Sequence, residues 1–283
     1  MSIDHYENFP VASWLCPPAL RPAIKAIYAF ARTADDLADE GSATASDRLR
    51  DLATFETDLH AVVSGGAASL RWRDVFEPLA EAVQSHGLPL PLLTDLLSAF
   101  RQDVIHHTYT DRAELLDYCR RSANPIGRLL LHLYGVGDAE ALHESDAICT
   151  GLQLTNFWQD LSLDIGRQRL YIPLSDCARH GVAPASLLAG DDSSEARALV
   201  AEMVGWARAT MLHGAPLAHR VRGRAGWELR LVVQGGLRIL EQIEERGFDS
   251  MRHRPTLRWH EAPALAWRAL AMRPPLLARE EHA

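Results

Sequence analysis

Lysine is almost absent from this 283-residue chain, in which Lys25 is the only one and arginine supplies the other basic side chains. Acidic residues outnumber basic residues by 37 to 29, so the net charge is −8. That balance argues against a general nucleic-acid-binding surface. Cysteine is also scarce. The four cysteines form no C-x-x-C motif, which argues against a zinc knuckle or a disulfide framework and is typical of a reducing compartment.

Long apolar runs are missing as well. The most apolar stretch, LLLHLYGVG, is far too short to cross a bilayer. The first ten residues, MSIDHYENFP, are acidic and polar, unlike a signal peptide. We therefore expect a cytoplasmic protein, and the sequence leaves peripheral contact with the inner face of the membrane open.

The alternation that marks β-strands is absent too, and helical periodicity replaces it. Asp138 is the predicted N-cap of a long helix that runs through Leu161. Two more helices are predicted over Glu195–His213 and Glu228–Arg246.

No break between the predicted helices resembles a domain linker. Gly214 and Gly247 are the predicted stops of the last two helices. We predict one all-α domain over residues 1–283, in which residues 273–283 form a loosely held tail.

A first acidic pair continues an apolar helix face in the stretch AFARTADDLADEG. Ile24, Tyr28 and Ala31 follow each other at three or four residues and share one face. Asp35 and Asp39 extend that face, about one helical turn apart.

A second pair repeats the arrangement on the helix that follows Asp138. Ile148, Leu152 and Asn156 are spaced by four residues, and Asp160 and Asp164 continue the same spacing. An apolar face again becomes rich in oxygen atoms.

The repetition indicates that a cation lies between the two pairs, because unpaired carboxylates in a partly buried cleft are costly. A solvated acidic face would explain one pair but not both. Asp and Asn oxygens without His or Cys suit Mg²⁺ better than zinc. A di-iron bundle would need paired E-x-x-H motifs, and we interpret the one present, Glu140–His143, as surface.

Arginines flank both acidic segments, which makes a diphosphate the expected partner of the metal. The arginines concerned are Arg32, Arg167, Arg169, Arg252 and Arg254, and Tyr171 lies in the same segment as Arg167 and Arg169. An apolar helical pocket would hold the carbocation that remains when the diphosphate departs.

Asp103 is a further acid on an apolar helix face, seven residues after Leu96. Two interpretations stay open at this point. Asp103 is either a buried carboxyl that bonds a helix terminus or a residue that supports the metal ligands.

Over most of its length the chain resembles the squalene/phytoene synthase family, the head-to-head trans-prenyltransferases. LRPAIKAIYAFARTADDLADE is similar to the first aspartate motif of that family, and QLTNFWQDLSLDIGRQRLYIP is similar to the second. RQDVIHHTYTDRAELLDYCRRSANPIGRL matches the segment between them, and GFDSMRHR resembles the C-terminal region. The resemblance implies an all-α isoprenoid synthase fold, with helices around a central apolar cavity, and an enzyme that uses Mg²⁺ to act on a prenyl diphosphate.

The resemblance also assigns residues to roles. It implies catalysis and metal binding by Asp35, Asp39, Asp160 and Asp164, with Asn156 and the off-face Asp36 as further metal ligands. It implies that a second group lies near the substrate, namely Tyr28, Arg32, Gln153, Arg169, Tyr171, Asn8 and Gly127. Pro125 is predicted to kink the helix that contains Gly127.

Two departures from the family pattern lie in the second motif. The usual Arg-Asp-x-x-Glu-Asp has Gln159 in place of Arg and Leu163 in place of Glu. With these departures, HYENFPVAS, WQD and SANPIGR resemble the hydroxysqualene synthase branch of bacterial hopanoid biosynthesis. That resemblance implies ionisation of presqualene diphosphate and capture of the rearranged cation by water. It leaves other hopanoid-pathway enzymes open as partners.

Three alternatives stay open. The first is a presqualene diphosphate, squalene, phytoene or dehydrosqualene synthase that condenses two prenyl diphosphates. The second is a non-catalytic assembly factor with the same fold, and the third is a helical interaction module.

A second motif with fewer charges fits one leaving group better than two. The chain also lacks a dinucleotide fingerprint, because GVGDAE has no third glycine.

Overall fold

The computed structural model describes residues 16–272, which form fourteen α-helices, two short 3-10 helices and no β-sheet. The helices are α1 (Arg21–Asp39), α2 (Ala45–Val63), α3 (Arg73–His86), α4 (Leu90–Ile105), α5 (Arg112–Ser122), α6 (Asn124–Leu133), α7 (Ala139–Gln159), α8 (Leu161–Gly166), α9 (Leu174–Arg179), α10 (Pro184–Leu188), α11 (Ser194–Gly214), α12 (Leu217–Arg220), α13 (Gly223–Glu245) and α14 (Ala262–Ala271). The predicted all-α class is confirmed. The predicted tail at residues 273–283 lies outside the described residues, and so does Asn8.

Three apolar clusters hold the helices together. The first joins α1–α4 and α6, and the rings of Phe30, Phe55 and Phe76 pack together within it at centroid distances of 4.6–6.1 Å. The second joins α5, α7, α11 and α13 around the fully buried Trp158. The third joins α6, α7 and α11–α13. The two acidic helices, α1 and α7, therefore belong to different clusters, and their polar ends face each other across the boundary.

Helix α7 begins as predicted but ends two residues early. The Asp138 carboxylate accepts a hydrogen bond from the Ala141 amide at 2.9 Å, which confirms the N-cap. At Asp160 the backbone leaves the helix (φ −98°, ψ 11°), and α8 begins at the next residue. The Asp160 amide still bonds the Asn156 carbonyl at 2.9 Å, and the Asp164 amide bonds the Asp160 carbonyl at 3.0 Å. The four-residue spacing of the backbone hydrogen bonds is therefore kept across the break.

The prediction that Pro125 kinks a helix is wrong. Helix α5 ends at Ser122, and Pro125 occupies the first turn of the next helix, α6. A proline is accommodated there because its missing N–H would have no partner inside the helix.

The boundaries of α11 and α13 hold with one difference, since α13 begins at Gly223 rather than Glu228. Gly247 ends α13 with a left-handed backbone (φ +64°), as predicted. Gly214 is the last residue of α11, as predicted, but its glycine is explained by packing. A Cβ there would lie 2.3 Å from the Glu144 carbonyl oxygen. The glycine lets α11 pack closely against α7.

A search of the described helices finds no segment with the length and hydropathy of a membrane span.

We expect Gly214→Ala to lower the free energy of unfolding by about 1–3 kcal/mol, the usual penalty of overpacking, because α11 and α7 must separate. Gly205→Ala is the matched control on α11, since a Cβ there meets nothing within 4 Å. That variant should be neutral or gain up to about 1 kcal/mol in helix propensity. Urea unfolding of both proteins measures the difference. Equal stability of the two variants would contradict the close contact.

Candidate active site

The α1 face that carries the first acidic pair lies close to the second acidic motif, and we call the region between Asp35, Asp39, Asp160 and Asp164 the cleft. Phe30 and Ala34, on the neighbouring face, are completely buried in the core. The side chains of Asp35 and Asp39 are 44% and 21% exposed. The predicted stripe is thus correctly located, but it lies at the edge of the core rather than at its centre.

Arg169 joins the two acidic motifs. Its guanidinium donates two parallel hydrogen bonds to the Asp39 carboxylate, at 2.6 and 2.8 Å. Arg167 approaches the same carboxylate at 3.4 Å. The Arg169 amide bonds the Asp164 carbonyl at 2.9 Å, and the next amide, that of Leu170, bonds the His107 carbonyl at 2.9 Å. The backbone on both sides of Arg169 is therefore fixed while its side chain crosses the cleft.

A second arginine pairs with the other motif. The Arg254 guanidinium contacts the Asp160 carboxylate, with donor–acceptor distances of 2.5 and 3.3 Å. Gln159, only 1% exposed, donates its side-chain amide to the Pro255 carbonyl at 2.7 Å. The glutamine that replaces the family's arginine therefore anchors the segment that carries Arg254.

The carboxylates of the cleft repel one another. Removal from water, and then the negative charge of Asp39, raises the pKa of Asp35 to about 6. Removal from water, and then the charge of Asp160, raises the pKa of Asp164 to about 7. Because the folded protein binds these protons more tightly than the unfolded chain, the contribution of these two groups to stability falls as the pH rises from about 4 to about 7. A bound cation would remove this penalty.

The donor set of the cleft fits a hard cation. Carboxylate and amide oxygens come from both sides, which is the ligand chemistry that Mg²⁺ prefers. Within the described range, no three His, Cys, Asp or Glu side chains already stand together as a metal cluster. Arginines occupy Asp39 and Asp160 instead, so metal binding requires these carboxylates to exchange a guanidinium for the cation.

The remaining predicted site residues lie in different surroundings. Tyr28 on α1, together with Gln153 and Asn156 on α7, is partly buried on the expected helices. Arg32 bonds acids of its own helix, at 2.7 Å to Asp36 and 3.5 Å to Asp35. Asp36 thus faces an arginine of its own helix, and its role as a further metal ligand stays a prediction.

Gly127 lies where α6 crosses α7. A Cβ on Gly127 would sit 2.4 Å from the Ser145 hydroxyl oxygen and 2.6 Å from the Cys149 sulfur. The glycine therefore has a packing role, and its place beside a hydrocarbon pocket stays a prediction.

An aromatic group beside the cleft was missed by sequence reasoning. Tyr171 stacks on Phe157 with ring centroids 3.9 Å apart, and it also packs against Tyr109 at 5.7 Å and Tyr118 at 6.4 Å. We call these four side chains the aromatic group. Its members come from distant parts of the chain, so no local spacing reveals them.

Asp103 contacts this aromatic group. Its carboxylate is buried and accepts a hydrogen bond from the Tyr118 hydroxyl at 2.8 Å. Asp103 therefore bonds a side chain and not a helix terminus. It also feels the charges of Asp39 and Arg169, which places it beside the predicted metal ligands.

Comparison with known proteins identifies the relatives of this chain. Residues 4–261 match the squalene/phytoene synthase family. A hydroxysqualene synthase of Sinorhizobium fredii is 32% identical over 250 residues, which cover 88% of this chain and 82% of the relative. A phytoene synthase of Thermus thermophilus is 31% identical over 277 residues, which cover 96% and 91%. The crystal structure of squalene synthase HpnC from Alicyclobacillus acidocaldarius has a TM-score of 0.79 and 36% identity, and the match covers 87% of this chain and 90% of that one.

These relatives are enzymes, and the family acts on prenyl diphosphates in isoprenoid biosynthesis. The predicted isoprenoid synthase fold is confirmed, and with it the prediction of an enzyme. The family match spans most of the sequence and includes both acidic motifs. The chain belongs to the squalene/phytoene synthase family.

Proposed function

We propose that this enzyme ionises presqualene diphosphate with the aid of Mg²⁺ and that water captures the rearranged cation. The products are hydroxysqualene and diphosphate. The observation that carries the proposal is the pair of acidic motifs facing one cleft, joined by arginines, with a second motif that has fewer charges than the family pattern.

The reduced charge of the second motif supports a single leaving group. Gln159 is buried and bonded to a backbone carbonyl. Leu163 is 52% exposed and offers no ligand atom for a metal or a phosphate. Condensation of two farnesyl diphosphates brings two diphosphates into the site, whereas ionisation of presqualene diphosphate releases one. A site with fewer charged groups suits the second task.

Each charged group then has a role. Mg²⁺ would be held by Asp35, Asp39, Asn156, Asp160 and Asp164, and when bound it would neutralise charge on the departing diphosphate. Asp36 stays a predicted further ligand.

The arginines supply the other half of the charge. Arg169 and Arg254 already lie in the cleft, so their guanidinium groups can turn from carboxylate to phosphate oxygens of similar geometry. Arg32 and Arg167 lie at the exposed edge of the same cleft. Positive charge that is in place before the bond breaks lowers the energy of the charge that develops on the diphosphate.

The aromatic group would stabilise the cation on the other side of the breaking bond. Aromatic faces attract positive charge, more strongly where water is excluded. Tyr109 is completely buried, and Phe157 is 3% exposed. The rearranging cation would thus lie beside rings from which water is largely excluded.

Condensation of two prenyl diphosphates is the second candidate. The phytoene synthase likeness favours it, because that relative matches nearly the whole chain. Family membership leaves no reason to retain a non-catalytic assembly factor or a plain interaction module. Peripheral membrane contact and association with other hopanoid-pathway enzymes stay predictions.

Product analysis separates the two candidates. The purified enzyme with presqualene diphosphate and Mg²⁺ should yield hydroxysqualene, should need no NADPH, and should lose the activity when EDTA removes the metal. Farnesyl diphosphate alone should yield no C30 product. Formation of presqualene diphosphate or a hydrocarbon from farnesyl diphosphate would favour the condensing enzyme instead.

Arg169→Ala should reduce the rate of diphosphate release by about 10²-fold, the usual effect of removing one donor from a developing negative charge. Its effect on stability should be small, because Asp39 keeps Arg167 as a neighbour. Arg71→Ala is the matched control, since Arg71 makes the same two-bond contact with Asp51 far from the cleft. Stopped assays of released diphosphate and thermal melts measure both effects. A collapse of the melting temperature with unchanged turnover would assign Arg169 a structural role.

A further inference from the structure

One oxygen of Asp103 has no partner. Its Oδ2 accepts the Tyr118 hydroxyl at 2.8 Å, whereas Oδ1 is buried and has no hydrogen-bond partner within residues 16–272. The residue is only 8% exposed. Buried carboxylate oxygens are nearly always bonded, so an unpartnered one calls for a functional explanation.

The position of this carboxylate also indicates a functional role. The Asp39–Arg169 pair is close enough for both charges to influence the proton affinity of Asp103. Tyr118 of the aromatic group is the hydrogen-bond partner of Asp103. Asp103 is thus near both the groups assigned to the diphosphate and the rings assigned to the cation.

We propose that Asp103 is the base that orients and deprotonates the water molecule that captures the cation. The inference rests on the proposed function. The diphosphate has left with the electron pair of its carbon–oxygen bond before this step. The water oxygen then forms a bond to the cationic carbon, one O–H bond breaks, and its proton passes to Asp103 Oδ1. Cation, water and carboxylate become alcohol and carboxylic acid, so atoms and charge balance.

The neighbouring groups are poorly suited to this task. Burial raises the pKa of Tyr118 and Tyr171 well above the ordinary value, so both hydroxyls stay protonated. Asp39 and Asp160 are bonded to arginines here, and with Asp35 and Asp164 they are the proposed metal ligands, so none of the four would be free to accept the proton. Burial also raises the pKa of Asp103, to about 7, which makes its carboxylate a stronger base than an exposed aspartate.

The competing explanation is that Asp103 only anchors Tyr118. An anchor would affect stability and turnover, but it would not decide whether the cation ends as an alcohol or as a hydrocarbon. The ratio of these products therefore separates the two roles.

The experiment compares variants on presqualene diphosphate with Mg²⁺, and it measures diphosphate release together with the product mixture by mass spectrometry in ¹⁸O-labelled water. In Asp103→Asn the products are counted per molecule of diphosphate released, so that a change in the rate of the first step does not affect the comparison. The hydroxysqualene fraction of this variant should fall by at least about tenfold, with hydrocarbon formed by proton loss in its place. Asp103→Glu, which keeps a displaced carboxylate, should give an intermediate fraction.

Asp58→Asn is the matched control. Asp58 is a buried carboxylate of another cluster, 7% exposed, and it accepts hydrogen bonds from Ser69. This variant should lose stability and keep its product ratio. An unchanged alcohol fraction in Asp103→Asn overturns the inference. If Asp103→Asn does not fold, an unchanged fraction in Asp103→Glu does the same.

The same assay distinguishes failure of the inference from failure of the proposed function. If the unmodified enzyme makes no hydroxysqualene from presqualene diphosphate, the proposed function fails. If the unmodified enzyme makes the alcohol and the Asp103 variants make it equally well, only the role of Asp103 fails.

Discussion

Repulsion between the carboxylates of one cleft is the constraint on which the rest of this structure depends. Asp35 and Asp39 lie on α1, whereas Asp160 follows the last residue of α7 and Asp164 lies on α8, and folding brings their charges together. The protein balances part of this charge with its own arginines, Arg169 on Asp39 and Arg254 on Asp160. At Asp35 and Asp164, burial and then the charge of a neighbouring carboxylate raise the pKa, even though Arg32 lies 3.5 Å from Asp35.

Because its carboxylates are paired with arginines, the cleft can exchange these internal ion pairs for a metal ion and a phosphate. A guanidinium can leave a carboxylate without loss if a metal ion takes its place and a phosphate receives the guanidinium. The cation and the diphosphate would then bind together, because each satisfies the group that the other releases. Gln159 contributes indirectly, since it holds the Pro255 carbonyl and with it the segment that carries Arg254. Replacement of the family's arginine by glutamine thus changes a charged group into an anchor.

Local spacing was sufficient for most of α7 and α11 and for the helical spacing of the two acidic pairs. A period of 3.6 residues places Asp35 with Asp39, and Asn156 with Asp160 and Asp164, wherever the helices go. The N-cap at Asp138 is equally local. The family resemblance then supplied the fold and the expected chemistry.

Contacts between distant segments could not be read in the same way. The break at Asp160, the pairing of Arg169 with Asp39 across 130 residues, and the partner of Gln159 all depend on tertiary packing. The role of Gly214 as a contact and the start of a helix at Pro125 are further cases. The aromatic group and its link to Asp103 unite residues from α4, α5, α7 and the loops between helices.

The most direct test is a crystal structure of the enzyme with Mn²⁺ and inorganic diphosphate, in which anomalous scattering locates the metal. Mn²⁺ prefers the same oxygen ligands as Mg²⁺. The account predicts anomalous peaks between the carboxylates of α1 and those of Asp160 and Asp164, with Arg169 turned from Asp39 to the diphosphate. Diphosphate bound elsewhere, with no metal in the cleft and Arg169 still on Asp39, would contradict it.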